Sequence, residues 1–366
     1  MPVLCTNCRQ PYPVQGAPHR CIQCGGVFDY ASTFPYDPQK IEPAQPGIWR
    51  YRDSFEMPTN APPISLGEGG TPLVWADAFG QRVAFKCEFL QPSGSFKDRG
   101  TATLVSFLYS RGVNSAVEDS SGNAGASFAA YAARAGIHAR VFVPDSASGP
   151  KRAQIEAYGV ELVLIPGARS NASEAALQAV EQPGSAAVYA SHANLPFNLP
   201  GYATLAYELV EQLGGAPGSL ILPVGQGGLL LGAWRGFAAL RGAGIIEKLP
   251  LLVGVQARLC APLWAISMYG MAGAGWVAEG PTLAEGIRIV HPVRGDAVLQ
   301  AVAESAGQFL AVDEAQIRSG QESLARLGLY VEPTSAVVWD ALDQAADRLP
   351  KPIVVVLTGS GYKSAR

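Results

Sequence analysis

The run NSAVEDSSGNAGASFAAYAARAGIHARVFVP, Asn114–Pro144, decides the fold because three patterns follow one another in it. "NSAVED" is a short apolar stretch bounded by turn residues and reads as a strand. "SSGNAGASFAAYAARAG" is a loop followed by an alanine-rich helix that Asn123 leads and Gly136 closes. "HARVFVP" is β-branched again and reads as a second strand. Strand, helix, strand is a βαβ unit, and repeated βαβ units build a parallel sheet.

The alternation continues on both sides. Downstream come a helix with Pro150 near its start and Gly159 at its end ("GPKRAQIEAYG"), a strand ("VELVLIPG"), a helix ("NASEAALQAVEQ") and a strand ("AAVYAS"). Upstream lie a strand ("RVAFKCEF") and a helix closed by Gly112 ("DRGTATLVSFLYSRG"). Toward the C-terminus the strands are "SLILPVG", "LLVGVQA" and "PIVVVLTGSG", with helices between them. The expected fold class is α/β, with two open parallel-sheet α/β domains and, from the Cys-x-x-Cys pairs Cys5–Cys8 and Cys21–Cys24, a small N-terminal zinc ribbon. Residues 1–30 are the ribbon and 31–65 an extended Pro-rich arm. Residues 66–102 and 196–366 make a large α/β domain, and 103–195 a small one. Ligands of such sheets sit beyond the carboxyl ends of the strands.

The chain has 366 residues, 48% of them hydrophobic and 16% charged, so a sizeable core is expected. The formal net charge of -3 gives no electrostatic reason to expect nucleic acid or an acidic membrane as partner. No apolar run is long enough to span a bilayer and no secretory leader is read, so a cytoplasmic protein is the expectation.

Four of the six cysteines, Cys5, Cys8, Cys21 and Cys24, form two Cys-x-x-Cys pairs. Two such knuckles close a tetrahedral shell around one structural Zn²⁺. The alternative is a redox pair or fortuitous spacing. Recurrence of both pairs within a short N-terminal stretch, with Gly25 after the second, favours the metal.

"PSGSFKDRG", Pro92–Gly100, sets Lys97 between a Gly/Ser turn and the start of a helix. The positive end of a helix disfavours an ammonium, and so does burial, which leaves a neutral, nucleophilic amine. The alternative is a solvated helix lysine. In "LPVGQGGLLLG" a buried strand runs into Gly225, Gln226, Gly227, Gly228 and Leu229, and successive glycine amides at a helix N-terminus cradle a phosphate. A dinucleotide fingerprint would need glycine at Leu230, and a P-loop would need Gly-Lys-Ser/Thr. In "DSSGNAGAS", Asn123 can donate to a bound oxygen or simply cap its helix. In "VLTGSGYK", Thr358 and Ser360 place hydroxyls beside glycine. An amine, a phosphate cradle, an amide and a hydroxyl together match the aldehyde, phosphate, phenolic oxygen and ring nitrogen of pyridoxal 5'-phosphate.

"SGSFKDRG", "SSGNAGAS", "PVGQGG", "EPTSAVV" and "LTGSGYK", in that order, resemble the fold-type II pyridoxal-phosphate enzymes, and most of all the threonine synthase family, over roughly residues 65–366. The resemblance implies a catalytic Lys97 that bonds the cofactor and then moves the substrate's Cα proton. It implies Asn123 at the phenolic oxygen, Gly225, Gln226, Gly227, Gly228 and Leu229 at the phosphate, and Thr358 at the pyridine nitrogen. It also implies a lyase that converts O-phosphohomoserine and water to threonine and phosphate, acts on a small amino-acid substrate and assembles as a homodimer. Glu68 and Thr71 match a loop near that family's active site, or else form a capping turn. Phe96 packs near the cofactor or is plain core.

Three positions depart from the family's pattern. Ala124 stands where threonine is common, and "GQGGL" stands for Gly-Asn-x-Gly-Asn. Asn198, in "LPFN", stands where the family commonly has the arginine of Asn-Pro-Tyr-Arg, and asparagine does not replace its charge. Ser120, His192 and Lys363 are the remaining candidates for a substrate phosphate. A serine/threonine ammonia-lyase or a β-replacement enzyme on an activated serine is therefore the alternative activity. The four histidines, His19, His138, His192 and His291, lack the helical pair spacing of a metal hydrolase.

Overall fold

The computed structural model describes residues 2–58, 61–145, 149–167 and 169–364. Thr59 and Asn60 of the Pro-rich arm lie outside the described residues. The strands are β1 (Val3–Cys5), β2 (Phe28–Tyr30), β3 (Leu73–Ala78), β4 (Gln81–Lys86), β5 (Ser115–Glu118), β6 (His138–Pro144), β7 (Glu161–Ile165), β8 (Val188–Tyr189), β9 (Ser219–Pro223), β10 (Leu251–Ala257), β11 (Gln308–Val312) and β12 (Ile353–Val356). The helices are α1 (Lys97–Ser110), α2 (Asn123–Ala135), α3 (Pro150–Ala157), α4 (Arg169–Glu181), α5 (Leu199–Leu213), α6 (Gly228–Gly242), α7 (Pro262–Tyr269), α8 (Gly295–Glu304), α9 (Glu314–Arg326) and α10 (Pro333–Ala345). Among the described residues no helix is long and apolar enough to cross a membrane.

The chain divides into two compact units, Met1–Gly69 with Lys97–Tyr202, and Gly70–Phe96 with Ala203–Ser364. The first holds a four-stranded sheet in the order β7-β6-β5-β8, parallel throughout. Its centre is the βαβ unit read in Asn114–Pro144. The α2 helix stops where Gly136 turns left-handed at φ 68° and its N–H reaches the carbonyls of Ala132 and Ala133, a conformation that costs glycine little. Val117, Phe142, Ala172, Ala176 and Tyr189 form the small core that joins this sheet to α4.

The same unit holds the antiparallel β1–β2 pair and the arm. The arm is not extended throughout: Gly47–Phe55 coils into 3-10 turns that bury Trp49, Tyr51 and Phe55. Trp49 Nε1 donates to Glu68 Oε1 at 2.6 Å, and the Tyr131 hydroxyl of α2 donates to Oε2 at 2.7 Å.

The second unit is built on a six-stranded sheet in the order β11-β10-β9-β12-β4-β3. It is parallel as expected, with one antiparallel edge where β3 pairs with β4. The two strands are joined only by Phe79 and Gly80, whose φ values of 51° and 69° make a tight hairpin turn, and so short a link permits only antiparallel pairing. The central strands β9 and β12 are buried along their whole length. The Val/Ile/Leu composition of such strands reflects burial on both faces. The chain proceeds outward from β9 to β10 and β11, then returns to β12 on the other side of β9. The order therefore reverses between β9 and β12, and a crevice opens outside the carboxyl ends at such a point.

Candidate active site

Both ends at that reversal carry residues singled out in the sequence. After β9, Gly225 is buried, and a Cβ there would lie 3.0 Å from Ile287 Cα and 3.2 Å from the Gly286 carbonyl. Gly227 has φ 79°, and a Cβ on it would strike Val298. Glycine is required at both positions because the protein's own atoms fill the space that a side chain would take. Gly227 is the N-cap of α6 and provides no side-chain cap, so the first amides of α6 are available to an anion. Gln226 faces the protein: its Oε1 accepts from the Val293 amide at 2.9 Å. Leu229 is buried in α6.

After β12, Thr358 is 2% exposed. Its N–H donates to Ser335 Oγ at 2.7 Å, and its carbonyl accepts from the Phe96 N–H at 3.0 Å. Its own hydroxyl is buried with no hydrogen-bond partner among the described residues. The Ser95 hydroxyl is in the same condition, and Ser95 bridges to Gly359. Ser360 Oγ caps the following turn by accepting from the Tyr362 N–H. Lys363 is buried rather than solvent-exposed, its Nζ donating to the Ser93 carbonyl at 2.8 Å, so it braces this loop. Thr71 Oγ1 donates to Glu88 at 2.6 Å.

In the first unit Lys97 is the first residue of α1 and is half-buried. Asn123 is the first residue of α2, also half-buried, with Gly122 as the N-cap. The two helix starts are joined. Ser127 Oγ of α2 donates to the buried Asp98 at 2.6 Å and lies 2.8 Å from Thr101 Oγ1. Asp98 follows Lys97, and Ser127 lies one turn after Asn123, so the lysine and the asparagine open neighbouring helices. The loop before Asn123 is tight, because a Cβ on Gly125 would strike the Ser120 carbonyl. Ala124 is buried, and Ser120 Oγ accepts from the Gly122 N–H at 3.2 Å. Glu68 accepts from Trp49, Tyr131, Ser65 and the Leu66 amide, which makes it a structural carboxylate.

The sequence points to the loop after β8 only as a source of phosphate contacts, and the structure gives it a different set of bonds. Asn198 is 2% exposed, and its Nδ2 donates to the His192 carbonyl at 2.6 Å. His192 Nδ1 lies 3.0 Å from Glu118 Oε1. Glu118 escapes the sequence reading, although an acidic residue at the end of a buried strand, just before a Ser/Gly loop, is a signal.

The four N-terminal thiols lie within 4.8 Å of one another, with Cys5 and Cys24 Sγ atoms 3.5 Å apart and Cys8 and Cys21 3.6 Å apart. Tetrahedral thiolate ligands at the usual Zn–S length stand about 3.8 Å apart. The Cys8 amide lowers the Cys5 thiol to about 6. Although the Gln10 amide favours a thiolate at Cys8, the Cys24 thiol and burial push it up to about 12. Crowded thiols resist joint ionisation unless a cation is present.

The profile of the family described as "Pyridoxal-phosphate dependent enzyme" matches residues 64–359. The chain belongs to the pyridoxal-phosphate dependent enzyme family. It is similar to the threonine synthase of Methanosarcina acetivorans, at 32% identity over 356 residues covering 94% of this chain and 86% of that one. It is 35% identical to the threonine synthase of Mycobacterium bovis over 328 residues, covering 86% and 88%. The crystal structure of a T.th. threonine deaminase superimposes with a TM-score of 0.68 at 27% identity, over 81% of this chain and 94% of that one. The residues here fit a pyridoxal-phosphate dependent enzyme: a glycine loop that a Cβ would obstruct, uncapped helix amides for an anion, and buried hydroxyls at Thr358 and Ser95 that lack a protein partner among the described residues.

Proposed function

We propose that this protein is a threonine synthase, converting O-phosphohomoserine and water to threonine and phosphate. The observation that carries this reading is its likeness to threonine synthases at 32% and 35% identity over most of both chains. Lys97 would hold the cofactor's aldehyde carbon, and its Nζ would accept the substrate's Cα proton. The amides of Gly225 to Leu229 would bind the cofactor phosphate, Asn123 would donate to its phenolic oxygen, and the Thr358 hydroxyl would serve its ring nitrogen. When bound, pyridoxal phosphate supplies an electron sink for charge that develops at Cα. A hydroxyl does not hold the ring protonated as a carboxylate would, which suits elimination and replacement better than transamination. Cys5, Cys8, Cys21 and Cys24 hold a structural Zn²⁺. The protein works in the cytoplasm as a homodimer.

A second reading, ammonia loss from serine or threonine, is favoured by one specific observation. Asn198, where the resemblance leads one to expect arginine, is buried and bonded to the main chain of His192, so it brings no cation for a second phosphate. β-Replacement on an activated serine shares that ground. The test is to incubate the yellow protein with O-phosphohomoserine while following threonine and phosphate, and separately with serine and threonine while following keto acid and ammonia. Threonine with stoichiometric phosphate supports the first reading. Keto acid without threonine selects the second.

A further inference from the structure

Glu118 is a buried ionisable group that the mechanism above leaves without a role. It ends β5, is 1% exposed, and has both carboxylate oxygens turned to one residue: Oε1 lies 3.0 Å from His192 Nδ1, and Oε2 accepts from the His192 N–H at 3.4 Å. The pairing is built into the sheet. The β5 and β8 strands run parallel with Val117 opposite Tyr189, so the chain leaves both strands at the same end, where His192 comes within reach. Asn198 clasps the His192 carbonyl at 2.6 Å, while its own Oδ1 is buried without a partner among the described residues. The His192 side chain is 17% exposed against 1% for Glu118, so the pair has a buried end and an open end.

The charged and titratable groups around Glu118 are Lys97 of α1, Asp119, Tyr189 of β8, His192 and Tyr202 of α5. Burial first, and the Asp119 carboxylate second, raise the Glu118 carboxyl well above its ordinary value, while Lys97 acts in the opposite sense. Burial thus favours the protonated Glu118 carboxyl, and a proton donated from it to Nδ1 across the 3.0 Å contact leaves the imidazole proton on Nε2.

We propose that Glu118 and His192 form an acid pair that protonates a departing oxygen of the substrate, working in step with Lys97. This rests on the reading that Lys97 carries the cofactor. In loss of water from a β-hydroxy amino acid, where the oxygen leaves Cβ, each proton is accounted for. Lys97 Nζ gains the Cα proton and becomes an ammonium. His192 Nε2 gives its proton to the oxygen as the carbon–oxygen bond breaks with its electron pair, and Nδ1 takes the proton of Glu118. The imidazole stays neutral with its tautomer exchanged. Glu118 becomes a carboxylate, and the new ammonium at Lys97 stabilises that charge. His192 is the catalytic group, and Glu118 positions it and supplies the proton. Such a pair matters most where the leaving group is a hydroxide equivalent, so the chemistry extends to dehydration of a β-hydroxy amino acid.

The test compares two leaving groups on the holoprotein, L-serine, whose hydroxyl must be protonated, and β-chloro-L-alanine, whose chloride need not be. Pyruvate is measured for the wild type, Glu118→Gln and His192→Gln. Loss of a general acid lowers rates by about 10²-fold or more, so each variant is expected to lose about that factor on L-serine and to change by less than about threefold on β-chloro-L-alanine. A protonated-carboxyl infrared band in the wild-type holoprotein, missing from Glu118→Gln, is the expected signature apart from activity. Equal losses on both substrates, no turnover of L-serine by a wild type that consumes β-chloro-L-alanine, or absence of the infrared band overturns the proposal. A wild type that binds no pyridoxal phosphate at Lys97 overturns instead the reading on which it rests, so the two failures are told apart.

Discussion

The Phe96 amide donates to the Thr358 carbonyl at 3.0 Å, which fastens the residue just before Lys97 to the end of the last strand of the sheet. The Ser95–Gly359 bridge and the hydrogen bond from the Ser360 N–H to the Gly94 carbonyl, at 3.0 Å, continue the same seam. The main chain leading into the lysine is thereby held before any cofactor arrives. Replacing the side chain should leave that framework standing. Lys97→Ala is expected to fold, to lose the cofactor that borohydride fixes in the wild type, and to form no product. Mass spectrometry of the reduced protein checks this, and a persistent adduct in the variant would place the linkage elsewhere.

Thr358→Val separates binding from folding. The hydroxyl has no protein partner among the described residues, so removing it deletes no internal hydrogen bond found there. The cofactor-free variant should melt no lower than the wild type. Cofactor affinity should fall by about 2- to 10-fold, as expected for one neutral hydrogen bond. Fluorescence titration with pyridoxal phosphate and a melting curve measure the two effects.

Gly227→Ala should destabilise the protein by about 1–3 kcal/mol, because alanine is strained at φ 79° and its methyl would strike Val298. Urea titration measures the loss. Reduced affinity for inorganic phosphate or pyridoxal phosphate in a variant that remains folded would show that the same turn shapes the anion site.

Glu118→Gln should alter the pH dependence of stability in one direction. Burial and Asp119 raise the folded carboxyl above its ordinary value of 4.5. As pH climbs past that value the unfolded chain releases its proton first, so the wild type loses stability until folded Glu118 ionises as well. Glutamine has no such step. The melting temperature of the variant minus that of the wild type should be lowest below pH 4.5 and should increase with rising pH. A flat difference would mean that the carboxyl is not perturbed.

Metal analysis should find one zinc per chain. Chelation should loosen residues 1–30 and expose them to protease before the α/β body melts. Cys21→Ser should act similarly, because one ligand of four is lost and Cys21 is buried beside Phe28.

Much of this was legible from residue spacing. The cysteine knuckles needed only their intervals, and the βαβ alternation showed because buried parallel strands are short apolar runs between helices. The β3 strand was not legible: it is a half-exposed edge, lacks a clear alternation, and its partner is set by a two-residue turn. The β11 strand, "QFLAV", was not legible either, because only Asp313 separates it from the helix that begins at Glu314 and no Gly or Pro marks that boundary. Lys97, Asn123, the glycine loop and Thr358 drew notice because each breaks a local pattern. Glu118 did not, because one acid at a strand end looks like an ordinary boundary, and only its partner across the sheet, His192, gives it meaning.

Tyr12 meets Phe107 of α1 and Phe197 edge-on, with ring centroids 6.0 and 4.9 Å away, and Phe107 and Phe197 stack on each other. The N-terminal segment is thus a lid over two greasy rings, one on the helix that Lys97 begins and one in the turn Pro196–Asn198. A shortened chain starting at residue 31 would bare those rings to water and would clump in the test tube, even with every residue assigned to the chemistry still in place.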